Sequence, residues 1–305
     1  MSILKVNHVS KSYNGVLALD DVSLSVEANQ AYGFIGRNGA GKTTMINIIL
    51  SLLTKNDGDI VFNDAIISQT DIEYKNYIGY VPDVPSFPTY LTAYEFLSFA
   101  YDSYNLDKEH RQSAIEQVLL DVGLENSKKK IGQYSRGMKQ RLAIAGALMH
   151  KPILLIMDEP TSALDPIGRK AILDIIGRLK KTMAIFYSTH ILEDAQKVCD
   201  RIGLIDQGKL ILEDSMDALM NRVDTQSVFI ETGDNKQTMD MLKGCSFTEA
   251  ERFYQSGVLY RVKDGVREGK VLQYLMDNDV DIVALNKQKK TLEDVFIEVL
   301  NENDN

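Results

Sequence analysis

Cysteine is scarce in this chain of 305 residues, which contains only Cys199 and Cys245. Two thiols cannot build a disulfide framework, so the sequence reads as that of a cytosolic protein with reduced cysteines and a core of its own. Long apolar runs are missing too. None approaches the roughly 18 residues of a membrane span, so any membrane crossing would fall to another chain. The opening Met1-Ser2-Ile3-Leu4-Lys5-Val6 lacks the extended apolar region of a secretory signal and leads directly into structured sequence. A basic excess is also absent. Lys and Arg number 34 against 43 Asp and Glu, and the net charge of −9 argues against a nucleic-acid partner. No internal repeat or low-complexity tract interrupts the chain. What remains is ordinary for a soluble globular protein, with 44% apolar and 25% charged residues. The length suits one large domain and one smaller one.

The stretch with the most chemical content is Gly36-Arg37-Asn38-Gly39-Ala40-Gly41-Lys42-Thr43-Thr44, which fits the phosphate-loop pattern of Gly, four residues, then Gly-Lys-Ser/Thr. Ala31–Ile35 upstream reads as a short apolar strand, and the apolar-rich run from Lys42 to Leu53 reads as a buried helix. Glycines allow the backbone to wrap around phosphates, at a helix N-terminus whose dipole favours anions. In that context Lys42 is expected to reach the β- and γ-phosphates of a nucleotide, and Thr43 to offer its hydroxyl to Mg²⁺.

Around this loop the chain changes character in order. Leu4–Val9 and Val22–Val26 alternate as strands, with a turn at Ser12-Tyr13-Asn14-Gly15. Ile60–Phe62 and Tyr77–Pro82 are further strands, and about 84–150 reads as a mostly helical insertion dense in aromatics between Tyr90 and Tyr104. Ile153-Leu154-Leu155-Ile156-Met157 has no polar residue, as expected of a central parallel strand buried on both faces. It ends in Asp158-Glu159, where ligands of open α/β sheets bind. There Asp158 can hold Mg²⁺ and Glu159 can polarise an attacking water, although two carboxylates could equally cap the next helix. A strand at Met183–Tyr187 delivers Ser188-Thr189-His190, and His190 reads either as a structural histidine or as a phosphate contact. Ser135 caps a helix whose first turn is kept bare by Gly137, a second potential anion site. Beyond about 223, strand-like pieces (227–231, 258–263, 281–285) alternate with helix-like ones (235–243, 267–277, 291–300).

Together these stretches resemble the ATP-binding subunits of ATP-binding cassette transporters, over about residues 3–220. Gly36–Thr44 matches the phosphate loop, Ile153–Glu159 the Walker B strand, and Ser162-Ala163-Leu164-Asp165 the loop that crosses the family's dimer interface. His190 matches the switch histidine. Ser135 and Gly137, with Lys139-Gln140-Arg141 behind them, match the signature helix, though Tyr134, Arg136 and Met138 replace three residues of the usual Leu-Ser-Gly-Gly-Gln. Tyr13 sits where the family stacks an aromatic ring on adenine. Asp83 follows Val81-Pro82 where Gln, or sometimes Glu, is usual, and is shorter. Thr291–Phe296 looks like the ending of ATPase subunits from bacterial exporters with a separate membrane subunit.

The resemblance implies an α/β fold: a RecA-like P-loop NTPase core with an N-terminal antiparallel β subdomain and a helical insertion, then a small C-terminal α+β domain. It places an ATPase domain over 1–222 and an accessory domain over 223–305. It implies an ATPase at the inner face of the cell membrane that drives export through a separate permease, as one of two paired ATPase subunits, homodimeric or heterodimeric. ATP and Mg²⁺ are the implied cofactors. Lys42, Glu159 and His190 would be catalytic, Thr43, Asp158 and Asp83 would approach the metal, and Tyr13, residues 36–44, Ser135 and Gly137 would hold ATP. The rival readings are an ATP-binding regulatory or scaffold subunit with little turnover, and a soluble cassette ATPase outside transport.

Overall fold

The computed structural model describes residues 1–68, 70–124, 128–222, 227–254, 256–263, 266, 268–287 and 296. The chain divides into two compact units, Met1–Asp217 and Ala218–Asn305.

The first unit opens with a long hairpin, β1 (Ser2–Tyr13) and β2 (Val16–Glu27), which turns at Asn14-Gly15. Leu4, Val6 and Val9 are buried against Val26, Leu24 and Val22, a register shift around His8 (φ 52) bringing Val9 back to the inner face of β1. Next come β3 (Ala31–Ile35), helix α1 (Lys42–Ile49), β4 (Asp57–Phe62) and the short β5 (Ala65–Ile66). The antiparallel sheet has the order β2-β1-β4-β5. Helix α1 is shorter than the apolar run suggests, because Ser51 turns to φ 46 and the chain leaves the helix after Leu50. Leucines beyond that point contribute apolar character without helix.

Strand β6 (Ile78–Val81) is followed by three helices, α2 (Ala93–Ser103), α3 (Arg111–Asp121) and α4 (Arg136–Leu148). Helix α2 starts on a full capping box in which Thr92 and Glu95 satisfy each other's backbone N–H. Strands β7 (Leu154–Asp158) and β8 (Ala184–Thr189), both buried at every position, flank helix α5 (Pro166–Leu179). Helix α6 (Leu192–Val198) and the hairpin of β9 (Arg201–Asp206) and β10 (Lys209–Ser215) follow, and the boundary between the units falls within the next helix, α7 (Met216–Arg222). The second sheet has the order β10-β9-β3-β8-β7-β6, parallel throughout except for β10. Its strands β3, β7 and β8 are buried throughout and apolar up to their carboxyl ends, as expected where neither face of a parallel sheet meets water. In its core Tyr32 stacks on Phe186 at a centroid separation of 5.9 Å, and Phe34 packs tilted against the same ring at 5.4 Å.

The second unit is an antiparallel sheet with the order β12-β13-β11-β14, made of β11 (Ser227–Thr232), β12 (Thr248–Tyr254), β13 (Gly257–Val262) and β14 (Ile282–Lys287). Helices α8 (Asn235–Gly244) and α9 (Glu268–Asp277) bury Met239, Leu242, Val271 and Leu275 with Val228, Ile230, Val258 and Tyr260 of the sheet. Strand β12 is not among the strand-like pieces expected from the sequence, because its Thr-Glu-Ala-Glu-Arg-Phe-Tyr is rich in charge. It is an edge strand, where charge is favoured because it discourages pairing with other chains. The expected helix at 291–300, the match beginning at Thr291 and the tail Asn301–Asn305 lie outside the described residues, apart from Phe296.

Candidate active site

The parallel register decides which side chains meet. Ile35 pairs with Thr189, Asp158 with Ser188, and Val81 with Met157, so four strands end on one edge. The next residues, Gly36, Glu159, His190 and Pro82-Asp83, therefore emerge side by side although they lie up to 154 positions apart in the chain. This is the crevice at the carboxyl ends of the strands.

Gly36 anchors the loop by donating its N–H to Thr189 O at 3.3 Å. Gly39 and Gly41 take φ values of 82 and 113, and a Cβ at Gly41 would meet Ala18 O at 2.6 Å. Only glycine enters both conformations without strain. No side chain caps α1 at Gly41, so its first N–H groups stay available to an anion. Arg37, Asn38 and Gly39 are exposed at the tip, Ala40 is buried, and Thr44 is half-buried.

Lys42, only 5% exposed, folds back over the loop. Its Nζ donates to Gly36 O at 2.7 Å and Arg37 O at 3.1 Å, and lies 3.1 Å from Glu159 Oε1. That last contact is an ion pair without an aligned hydrogen bond, and Glu159 Oε1 is a buried acceptor with no aligned donor. Glu159 Oε2 lies 2.7 Å from His190 Nδ1. Because a carboxylate only accepts, Nδ1 carries the proton in this pair. Glu159 also has φ 48, uncommon for a side chain of its size, and its N–H bonds to Ser188 O at 3.1 Å. Asp158 accepts from Thr43 Oγ1 at 3.0 Å and from Ser188 Oγ at 2.5 Å. Ser188, which the residue-by-residue reading does not select, is identifiable only through its register opposite Asp158.

The donor set fits a hard divalent cation with phosphate ligands. Thr43 and Asp158 offer adjacent oxygens, and Mg²⁺ is commonly held by one or two protein oxygens plus substrate phosphates. Among the described residues no group of three His, Cys, Asp or Glu side chains could hold a metal alone.

The remaining candidates make contacts of their own. Ser135 is exposed and accepts from Met138 N at 3.2 Å as the cap of α4, while Gly137 packs beside Gly168, where an added Cβ would sit 3.6 Å from its Cα. Tyr13 is 46% exposed at the hairpin tip, with Lys11 Nζ 5.2 Å from its ring centroid. Asp83 Oδ1 accepts from Ser162 Oγ at 2.5 Å, on the loop after Glu159.

Two contacts brace the loops behind the cluster. Thr161 Oγ1 lies 3.1 Å from Tyr187 OH. Arg169 Nε donates to the fully buried Asp194 at 2.6 Å, tying α5 to α6. Arg169→Ala should lower unfolding free energy by about 3–5 kcal/mol, because it strands a buried carboxylate. Urea unfolding measures this, and a loss below about 1 kcal/mol would show that the pair does not brace the fold.

The sequence matches the model of the ABC transporter family over residues 19–162, and that of the DrrA1-3-like ATP-binding protein C-terminal domain over residues 215–300. It is 35% identical over 302 residues to the bacitracin transport ATP-binding protein BcrA of Bacillus licheniformis, covering 98% of this chain and 97% of that protein. It is 32% identical to the linearmycin resistance ATP-binding protein LnrL of Bacillus subtilis (strain 168), covering 97% of each. A solved structure of an ATP-binding subunit of an ABC transporter superposes with a TM-score of 0.64 at 30% identity, covering 72% of this chain and 92% of that one.

Proposed function

Because this chain belongs to the ABC transporter family, as an ATP-binding subunit with ATPase activity, we propose that its hydrolysis of ATP drives export through a separate membrane permease. The observation that carries the reading is the Lys42–Glu159–His190 cluster beside Thr43 and Asp158. ATP would enter with its phosphates on the open N-terminus of α1, and Lys42 would exchange the carbonyls of Gly36 and Arg37 for phosphate oxygens. Thr43 and Asp158 would hold Mg²⁺, which offsets phosphate charge when bound. Glu159 then accepts a proton from the attacking water, with His190 orienting its other oxygen. Tyr13 is assigned to the adenine ring, and Arg37, Asn38, Gly39, Ala40 and Thr44 to the walls of the phosphate site.

Ser135 and Gly137, at the exposed start of α4, are assigned to the ATP of a second ATPase subunit paired head to tail. Two helix N-termini and Lys42 would then surround one γ-phosphate, and hydrolysis would release the pair.

The names of the bacitracin and linearmycin resistance relatives support export as the direction. Among the described residues no helix is long and apolar enough to cross a membrane. The permease is therefore assigned to another chain, with this one docked on the inner face of the cell membrane. A groove of about 530 Å³, walled by Pro82, Phe87, Phe96, Phe99 and Tyr104, suits a helix of that permease. Phe99 is 73% exposed there, an apolar cost in water that docking would remove.

Residues 1–222 are assigned as the ATPase domain and 223–305 as an accessory domain without catalytic groups. A chain ending at Arg222 should bind ATP with unchanged affinity, measured by calorimetry. Loss of ATP binding in a truncation that still melts cooperatively would contradict the assignment. Purified protein, assayed for ATP turnover with and without its co-purified membrane partner, tests the function itself.

A further inference from the structure

Asp83 lies where the resemblance suggests a metal contact, yet its carboxylate is engaged elsewhere. Its Oδ1 accepts the Ser162 hydroxyl at 2.5 Å, across 79 positions of sequence. Ser162 N in turn donates to Glu159 O at 3.0 Å, closing a tight turn directly behind the catalytic carboxylate. That turn is bounded by two non-glycine residues in the left-handed region, Glu159 at φ 48 and Ala163 at φ 52. Such conformations persist where surrounding contacts over-determine them. A hydrogen bond to an ionised acceptor is about twice as strong as a neutral one, which suits Asp83 to this task.

Asp158, by contrast, has its two oxygens turned to Thr43 and Ser188 and already provides the carboxylate expected beside the phosphate loop. The segment leading to Asp83 is continuous with both regions. Tyr80 and Pro82 line the aromatic groove, while burial, and then the Asp158 and Asp83 carboxylates, push the Tyr80 phenol up from its usual pKa.

We infer that Asp83 is a positioning residue that sets the Glu159 loop through Ser162, and is not a ligand of the metal. The inference rests on the reading of Glu159 as the base. Asp83 fixes the turn from outside, and the turn fixes where the Glu159 carboxylate stands relative to Lys42 and His190. It contributes to turnover and leaves the binding of Mg²⁺ and ATP alone.

The test is a double-mutant cycle of Asp83→Ala and Ser162→Ala, with Ser162→Thr as the conservative control. Three quantities are read on the full chain: kcat, KM for ATP, and the Mg²⁺ dependence of the affinity for a fluorescent ATP analogue. Each alanine variant should lower kcat by about tenfold, the effect of one charged hydrogen bond. KM and the Mg²⁺ dependence of binding should stay at wild-type values. The double variant should be no slower than either single one, since both remove the same contact. Ser162→Thr, which keeps the hydroxyl, should retain most of the rate. A metal ligand gives a different pattern: Asp83→Ala alone raises the Mg²⁺ needed for nucleotide binding, and the two losses multiply. Either result overturns the inference. If Glu159→Gln is inactive while both alanine variants match wild type, the base stands and the relay falls. If Glu159→Gln turns over ATP normally, the base assignment itself falls. Ser162→Ala reports on the contact even if Asp83→Ala does not fold.

Discussion

Glu159→Gln is expected to reduce ATP turnover by about 10²–10⁴-fold, the usual contribution of a positioned general base. Glu159 follows β7 at the sheet edge and is held at φ 48 by the bond from its own N–H to Ser188 O. Its two oxygens face Lys42 and His190 at 3.1 and 2.7 Å. Glutamine conserves the shape but cannot take a proton from water, and its amide loses the ion pair with Lys42. ATP binding should survive, because Lys42 then has one carboxylate fewer competing with phosphate. The variant should accumulate as an ATP-bound dimer, visible by sedimentation. Turnover at the wild-type rate would remove Glu159 from the base role.

Lys42→Ala acts on the other side of the same ion pair and should weaken ATP binding itself. Lys42 is buried to 5% exposure and points its amine into the loop that would receive the phosphates. A hydrogen bond to a charged group contributes about 1.5–3 kcal/mol, so losing one Lys–phosphate contact should cost roughly ten- to a hundredfold in affinity. The change also leaves Glu159 facing the phosphates without its cation, which adds repulsion. Calorimetric titration measures the effect, and an unchanged Kd would show that Lys42 does not contact the nucleotide. The two variants therefore separate binding from chemistry: one keeps ATP and loses turnover, the other loses ATP.

Much of this was legible because the chemistry is carried by short contiguous stretches. The phosphate loop names itself by spacing, and the unbroken apolar run of Ile153–Met157 is what a strand covered on both faces requires. The placement of Asp158 at its end follows directly. What stayed hidden depends on register or on rare backbone conformations. Ser188 meets Asp158 only because β7 and β8 pair in parallel with those residues opposite each other. Asp83 and Ser162 touch across 79 positions, and no local pattern links them. Helical propensity overextended α1, since its stop is a φ of 46 at Ser51, which no glycine or proline marks. Charge concealed β12 for the opposite reason, as its polarity suits an edge. The cation over Tyr13 was the most readable of the omissions. Lys11 precedes it by two positions, and residues two apart in a strand share a face.

The most direct measurement is the ATPase rate of the full chain reconstituted in lipid vesicles with the membrane partner that co-purifies from native cells. Turnover should depend on Mg²⁺, rise when the partner is present and be abolished by Glu159→Gln. A rate indifferent to the partner, or equal in wild type and Glu159→Gln, would contradict ATP-driven export with Glu159 as the base.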